Sequence, residues 1–155
     1  MNDDLFKITN WLRVKSQQQM VTQEGDELNR ARAAQLLYYV QGTCLAIYGV
    51  SAFTDKMIAG KRGVELARLN TQYPGVRGIV GYLTERTLAD YDELATCEPF
   101  TSILEGVWQN LGDLSALQLM WRVRRDDPWQ QTTRGEALDL DVVTTYFREH
   151  VVNQD

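Results

Sequence analysis

Residues 30–68 read RARAAQLLYYVQGTCLAIYGVSAFTDKMIAGKRGVELAR, and the first half of this stretch decides the fold. At about 100° per residue, Ala33, Leu37, Val40, Cys44, Ile47 and Tyr48 share one face, while Ala34, Leu36 and Leu45 widen it well past a narrow stripe. A helix apolar around so much of its circumference needs neighbours on several sides. The spacing therefore predicts a central, largely buried helix over residues 27–48. Asp26 is its expected N-cap, and Gly49 stops it, since glycine takes the left-handed C′ conformation at little steric cost. Gln41 sits about 60–70° from the centre of the apolar face. An amide buried there needs hydrogen-bond partners, so Gln41 is expected to be a satisfied core amide.

Working outward, residues 3–19 place Leu5, Ile8, Trp11 and Leu12 at helical spacing, with Asp3 and Asp4 suited to the positive end of the helix dipole. Arg13 and Lys15 read as solvated charges, which fits a helix docked on the core better than one lying on a membrane. Residues 20–26 form a linker. After Gly49, residues 50–55 are too short and mixed for a helix, 56–60 reads as a brief extended piece, and helix resumes over 64–72 until Tyr73-Pro74-Gly75 ends it. Residues 76–98 are ambiguous: Ile79, Val80, Tyr82 and Leu83 suit either a short strand or a buried helical turn. A small two-stranded ribbon packed on the helices is the second expectation.

The signals sharpen from Glu98 onward. Phe100, Ile103, Leu104, Val107, Trp108 and Leu111 recur at three and four and give a helix stopped by Gly112. Ser115 and Gln118 then form a capping box, with Leu114 and Leu119 as a hydrophobic staple, starting a helix that runs to about Arg125. A last helix over 141–151 begins at Asp141 and carries Val142, Val143, Tyr146, Phe147 and Val151. The expected fold is mainly α, a compact helical bundle around residues 27–48, in one domain spanning 1–155.

Composition excludes several function classes. The chain has 155 residues, 44% hydrophobic and 24% charged, enough for one globular core. Its net charge of −5 lacks the general attraction that drives nucleic-acid binding. Arg122, Arg124 and Arg125 are followed at once by Asp126 and Asp127, with no interleaved aromatic stripe, so a nucleic-acid patch there is disfavoured. Two well-separated cysteines, Cys44 and Cys97, make no disulfide framework, and without a signal peptide or long apolar span the expected compartment is the cytoplasm. The one histidine, His150, reads as a solvated residue. No catalytic motif, metal site or cofactor is expected. Asp126-Asp127 and the pair Asp139 and Asp141 read as turn and capping carboxylates.

Two segments carry a resemblance. Residues 35–42, QLLYYVQG, with Gly49, Phe53, Ile58, Ala59, Lys61 and Gly63, resemble the pattern KLLYYAQGW and IEAWKYGPV of the Panacea antitoxin domain, the phage-associated Gep-type family. Residues 111–129 resemble its YGDLSALELSxLTHxxxPW segment, through Leu111 to Leu117 and Asp127-Pro128-Trp129. The motif residues so matched include Leu36, Leu37, Tyr38, Gln41, Gly63, Ser115, Pro128 and Trp129. Gly60, Arg62 and Val64 depart from it, standing where the family has Trp, Tyr and Pro, and Trp121 falls near the usual Thr-His.

The resemblance implies a non-enzymatic antitoxin that neutralises a cognate toxin protein by direct contact. It also allows a proteolytic adaptor that delivers the toxin to a protease, and a prophage-encoded factor acting on a small molecule belongs to a different class. Lys61, Arg62, Arg122, Arg124, Arg125 and Trp129 are the expected partner-binding residues, because this surface combines departures from the pattern, such as Arg62, with charged and aromatic side chains. The competing reading is that three of the four tryptophans are core. Arg148 is the expected bystander, and the first helix around Trp11 is the expected second choice of contact surface.

Overall fold

In the computed structural model, which describes residues 4–23 and 27–152, the chain opens with helix α1 (Asp4–Gln23). Leu5, Ile8, Trp11 and Leu12 are each at most 1% exposed, as their spacing requires. Full burial of Trp11 removes it from consideration as a contact surface. Asp3 lies outside the described residues. Arg13 and Lys15 are not solvated charges. The Arg13 guanidinium donates to the carbonyls of Ile79 and Val80, both at 2.7 Å, and Lys15 pairs with Glu105 at 3.0 Å while lying over the Trp11 ring.

Helix α2 (Arg30–Tyr48) is the central element, and fourteen of its nineteen residues are buried, which demands neighbours on several sides. Those neighbours are α5 (Phe100–Leu111), α6 (Ala116–Arg125) and α8 (Leu140–His150). The helix starts three residues later than the sequence predicts. Its N-cap is Asn29, whose side chain accepts from the Arg32 N–H at 2.8 Å, and Asp26 lies outside the described residues. Its end is as expected, with Gly49 at φ 69° donating to Leu45 O. Ile47 and Tyr48 emerge at 49% exposure where the helix leaves the core. Gln41 is buried and satisfied: its Nε2 donates to Phe53 O at 2.9 Å, and its Oε1 accepts from Ala52 N–H at 2.6 Å. Arg32, also buried, donates to the carbonyls of Gly112 and Leu114 and so occupies acceptors beyond the C-terminus of α5.

Lys61 and Arg62 turn β1 (Ile58–Gly60) back onto antiparallel β2 (Gly63–Glu65), with Ala59 opposite Val64. The ribbon takes up Val64 and Glu65, so helix α3 covers only Ala67–Gln72 rather than the expected 64–72. Gly63 holds φ 128°, where a side chain is strained. Residues 135–138 run along the outer edge of β1: Ala59 N–H donates to Glu136 O at 2.9 Å, and Gly135 N–H returns a bond to Ala59 O at 2.8 Å.

Ile79 and Val80 are buried in an irregular stretch, after which helix α4 (Glu85–Ala95) packs on α1. The sequence reading misses this helix because Thr84 caps it through a box with Thr87 at N3, where Glu or Gln is the usual signal. Ser115 is the N-cap of α6 with both bonds of its box to Gln118 in place, at 3.1 and 2.8 Å. The short helix α7 (Asp127–Gln130) comes next, with Pro128 in its first turn. Helix α8 is capped by Asp139 rather than Asp141, which falls in its first turn. Gly42 lets the Phe147 ring of α8 rest directly on the backbone of α2. Arg148 has a structural contact: its Nε donates to Ala46 O at 2.9 Å and ties α8 to α2. The result is a mainly helical fold, with eight helices and one two-stranded ribbon among the described residues, none of the helices long and apolar enough to cross a membrane.

Candidate functional site

Leu119 and Val123 commit one side of α6 to the core, and helical geometry then turns Leu117, Trp121, Arg124 and Arg125 outward. Leu117 is 75% exposed and Trp121 63%, large apolar surfaces left facing solvent. Arg125 lies 4.9 Å over the Trp121 ring. Beside this stripe, the exposed Lys61-Arg62 turn forms the far wall of a groove of about 430 Å³, floored by Ala34, Val64 and Met120 and flanked by Val76, which is 87% exposed.

Trp129 joins the stripe to the turn. Its indole Nε1 donates to Gly60 O at 2.9 Å, so the residue before Lys61 is fixed by a side chain from α7. Two guanidiniums cover the same ring, Arg124 at 5.5 Å and Arg134 at 3.4 Å from its centroid, and Arg134 also donates to Trp129 O. Trp129 is half-buried and fully engaged. It serves as the platform that holds two arginines. Lys61, Arg62, Arg124 and Arg134 have no carboxylate within ion-pair distance among the described residues.

The structure therefore brings Lys61, Arg62, Arg124 and Trp129 together, with Arg125 alongside. It separates Arg122, which lies about 160° around α6 from Arg124 and faces α8. Among the tryptophans, Trp11 is core, Trp108 and Trp129 are half-buried against it, and Trp121 is exposed. The other residues of the resembled motifs are scaffold. Leu36, Leu37, Tyr38 and Gln41 are buried in α2, Gly63 and Pro128 are also buried, and Ser115 caps α6.

Asp126 corrects a sequence expectation. It stands at the joint between α6 and α7, but its carboxylate caps neither helix. It is 6% exposed and accepts three tyrosine hydroxyls, from Tyr38 and Tyr39 of α2 at 3.1 Å each and from Tyr146 of α8 at 2.8 Å. Burial raises its carboxyl above the ordinary 3.8, opposed by the tyrosine bonds and by Arg122. Burial, and after it the neighbouring carboxylate, pushes all three phenols upward, so at neutral pH they remain donors. The junction fixes the α6–α7 joint against α2 and α8, and with it the placement of Arg124, Arg125 and Trp129. The adjacent Tyr38-Tyr39 pair on a buried helix is a legible sign that an acceptor is needed. Arg134, by contrast, carries no local signal.

No protein-family model, curated protein or solved structure matches this chain.

Proposed function

We propose that this domain works by protein–protein binding, as an antitoxin that neutralises a cognate toxin by direct contact through the face built by α6, α7 and the Lys61-Arg62 turn. The observation that carries this reading is the conjunction on one face of exposed Leu117, Trp121 and Val76 with the cations Lys61, Arg62, Arg124 and Arg134, in a chain of net charge −5. Exposed Trp beside Arg is the composition of interface hot spots, and the exposed Leu and Val extend it into an apolar patch of the kind that marks interaction sites. The resemblance to Panacea antitoxins supplies the class of partner. A proteolytic adaptor uses the same first contact and differs in the fate of the bound toxin, which is degraded rather than held.

The test is co-expression with a candidate toxin, taken from any small protein found encoded beside this chain. Rescue of growth and co-purification are expected, with rescue retained in protease-deficient cells. The double charge reversal of Lys61 and Arg62 to Glu weakens binding by about tenfold or more, chiefly through the off-rate. Lys56→Glu, exposed at the opposite end of β1, is the control and leaves affinity unchanged. Unchanged affinity in the Lys61/Arg62 variant rejects this face, and rescue that needs a protease rejects direct neutralisation.

A further inference from the structure

A second groove, of about 660 Å³, runs between the C-terminal half of α2, α5 and α8. That volume is in the range of small-molecule sites. Ile47, Ile103, Val107 and Val151 give it apolar walls, and Arg122 and His150 stand at its polar side. In a chain with 21 acidic and 16 basic side chains, its lining contains no carboxylate among the described residues. Carboxylates close to it are partnered: Glu98 accepts from the backbone N–H and the hydroxyl of lining Ser102 at 3.1 and 2.9 Å, Asp126 is buried among the tyrosines behind Arg122, and Glu149 lies 3.9 Å from His150.

The floor holds an independent observation. Gly106 sits in the middle of α5, where glycine weakens a helix relative to alanine, yet a Cβ built there meets nothing within 4 Å. Packing does not call for a glycine at this position. Its effect is to leave the groove open beneath Arg122. Arg122 is also the one arginine of α6 that turns away from the proposed partner face, so toxin binding leaves it unexplained.

We propose that this groove binds a small amphipathic anion, with an aliphatic or aromatic body lying over Gly106 between Ile103, Val107 and α8 and a carboxylate meeting the Arg122 guanidinium. The proposal stands apart from toxin binding and uses none of the residues of that face.

The probes are octanoate and its uncharged counterpart octanamide, titrated into the full chain at neutral pH and followed by calorimetry and by amide chemical shifts of α5 and α8. Octanoate binds saturably at one site, and octanamide about tenfold more weakly, the loss expected for one charge-assisted pair. Arg122→Gln weakens octanoate to the octanamide level and leaves octanamide itself unchanged. Gly106→Leu starts its side chain in open space, with nothing within 4 Å of its Cβ, and improves helix propensity, so it abolishes binding of both probes while the Tm stays level or rises. Failure of octanoate to saturate overturns the proposal, as does equal affinity for the two probes. Undiminished binding in a folded Gly106→Leu chain places the ligand elsewhere and also overturns it.

Discussion

The side-chain amide of Gln35 exchanges two hydrogen bonds with the backbone of Val64, accepting from its N–H at 2.9 Å and donating to its carbonyl at 3.1 Å, as a neighbouring strand would. Both residues are buried, so removing the amide leaves a donor and an acceptor without partners. Gln35→Ala should cost about 2–4 kcal/mol in urea unfolding. A loss within error would show that water replaces the amide and that the ribbon does not depend on it.

Asp126→Asn keeps the shape of the side chain but replaces one of its two acceptor oxygens by a donor, so the three tyrosine hydroxyls can no longer all be accepted as they are now. A penalty of about 1–3 kcal/mol is expected near the ordinary carboxylate range. The sign of its pH dependence comes from the raised carboxyl. A group with a higher pKa in the folded state holds its proton more tightly when folded, so its stabilising contribution is full below 3.8 and declines as pH rises toward the folded value. Asparagine does not titrate. The stability gap between wild type and variant should therefore narrow as pH rises through and above the carboxylate range, and a gap that widens would contradict the raised pKa.

Gly42→Ala should destabilise by about 1–3 kcal/mol, because a methyl group there overlaps the Phe147 ring and the α2–α8 contact cannot widen without disturbing the tyrosine junction. In a Phe147→Leu background the loss should shrink, since the ring is the obstacle. Equal losses in both backgrounds would mean that the two residues are uncoupled and that the ring does not rest on the α2 backbone.

The two thiols should differ sharply. Cys44 is buried and its thiol is pushed up to about 12 by burial, whereas Cys97 is exposed. Ellman's reagent at about pH 8 should titrate Cys97 alone in the native chain, and Cys44 only after denaturation, because the thiolate is the reacting form. Two fast thiols would show that the face of α2 bearing Cys44 is open to solvent.

How far the sequence reveals this arrangement depends on the range of each interaction. Features within one turn are legible: the broad apolar face around Leu36 and Leu37, the Ser115–Gln118 box, the stop at Gly49. Features that cross the chain are not. Arg13 reads as solvated because its acceptors are Ile79 and Val80, and nothing near Arg148 in the sequence points to its acceptor, Ala46. Asp126 reads as a cap because two of the three tyrosines it serves lie on a helix near the other end of the sequence. At the candidate face, Lys61, Arg62 and Trp129 can be named from residue type, but Arg134 reaches Trp129 through a turn that no periodicity marks. Val64 shows the same limit from the other side. It stands where the resembled pattern has proline, and a proline has no N–H to give Gln35.

In a two-stranded ribbon the outward-facing amides of both strands are exposed templates for another chain, and short strands are prone to slip register or recruit a neighbour. Here the outward groups of Ala59 are bonded to residues 135 and 136, and those of Val64 to the Gln35 amide. A passing β-segment finds no free central residue on either side, so the ribbon should neither seed aggregation nor swap strands between copies. One side chain from a helix thereby gives the chain, at Val64, the protection against self-association that larger sheets obtain from a covering layer.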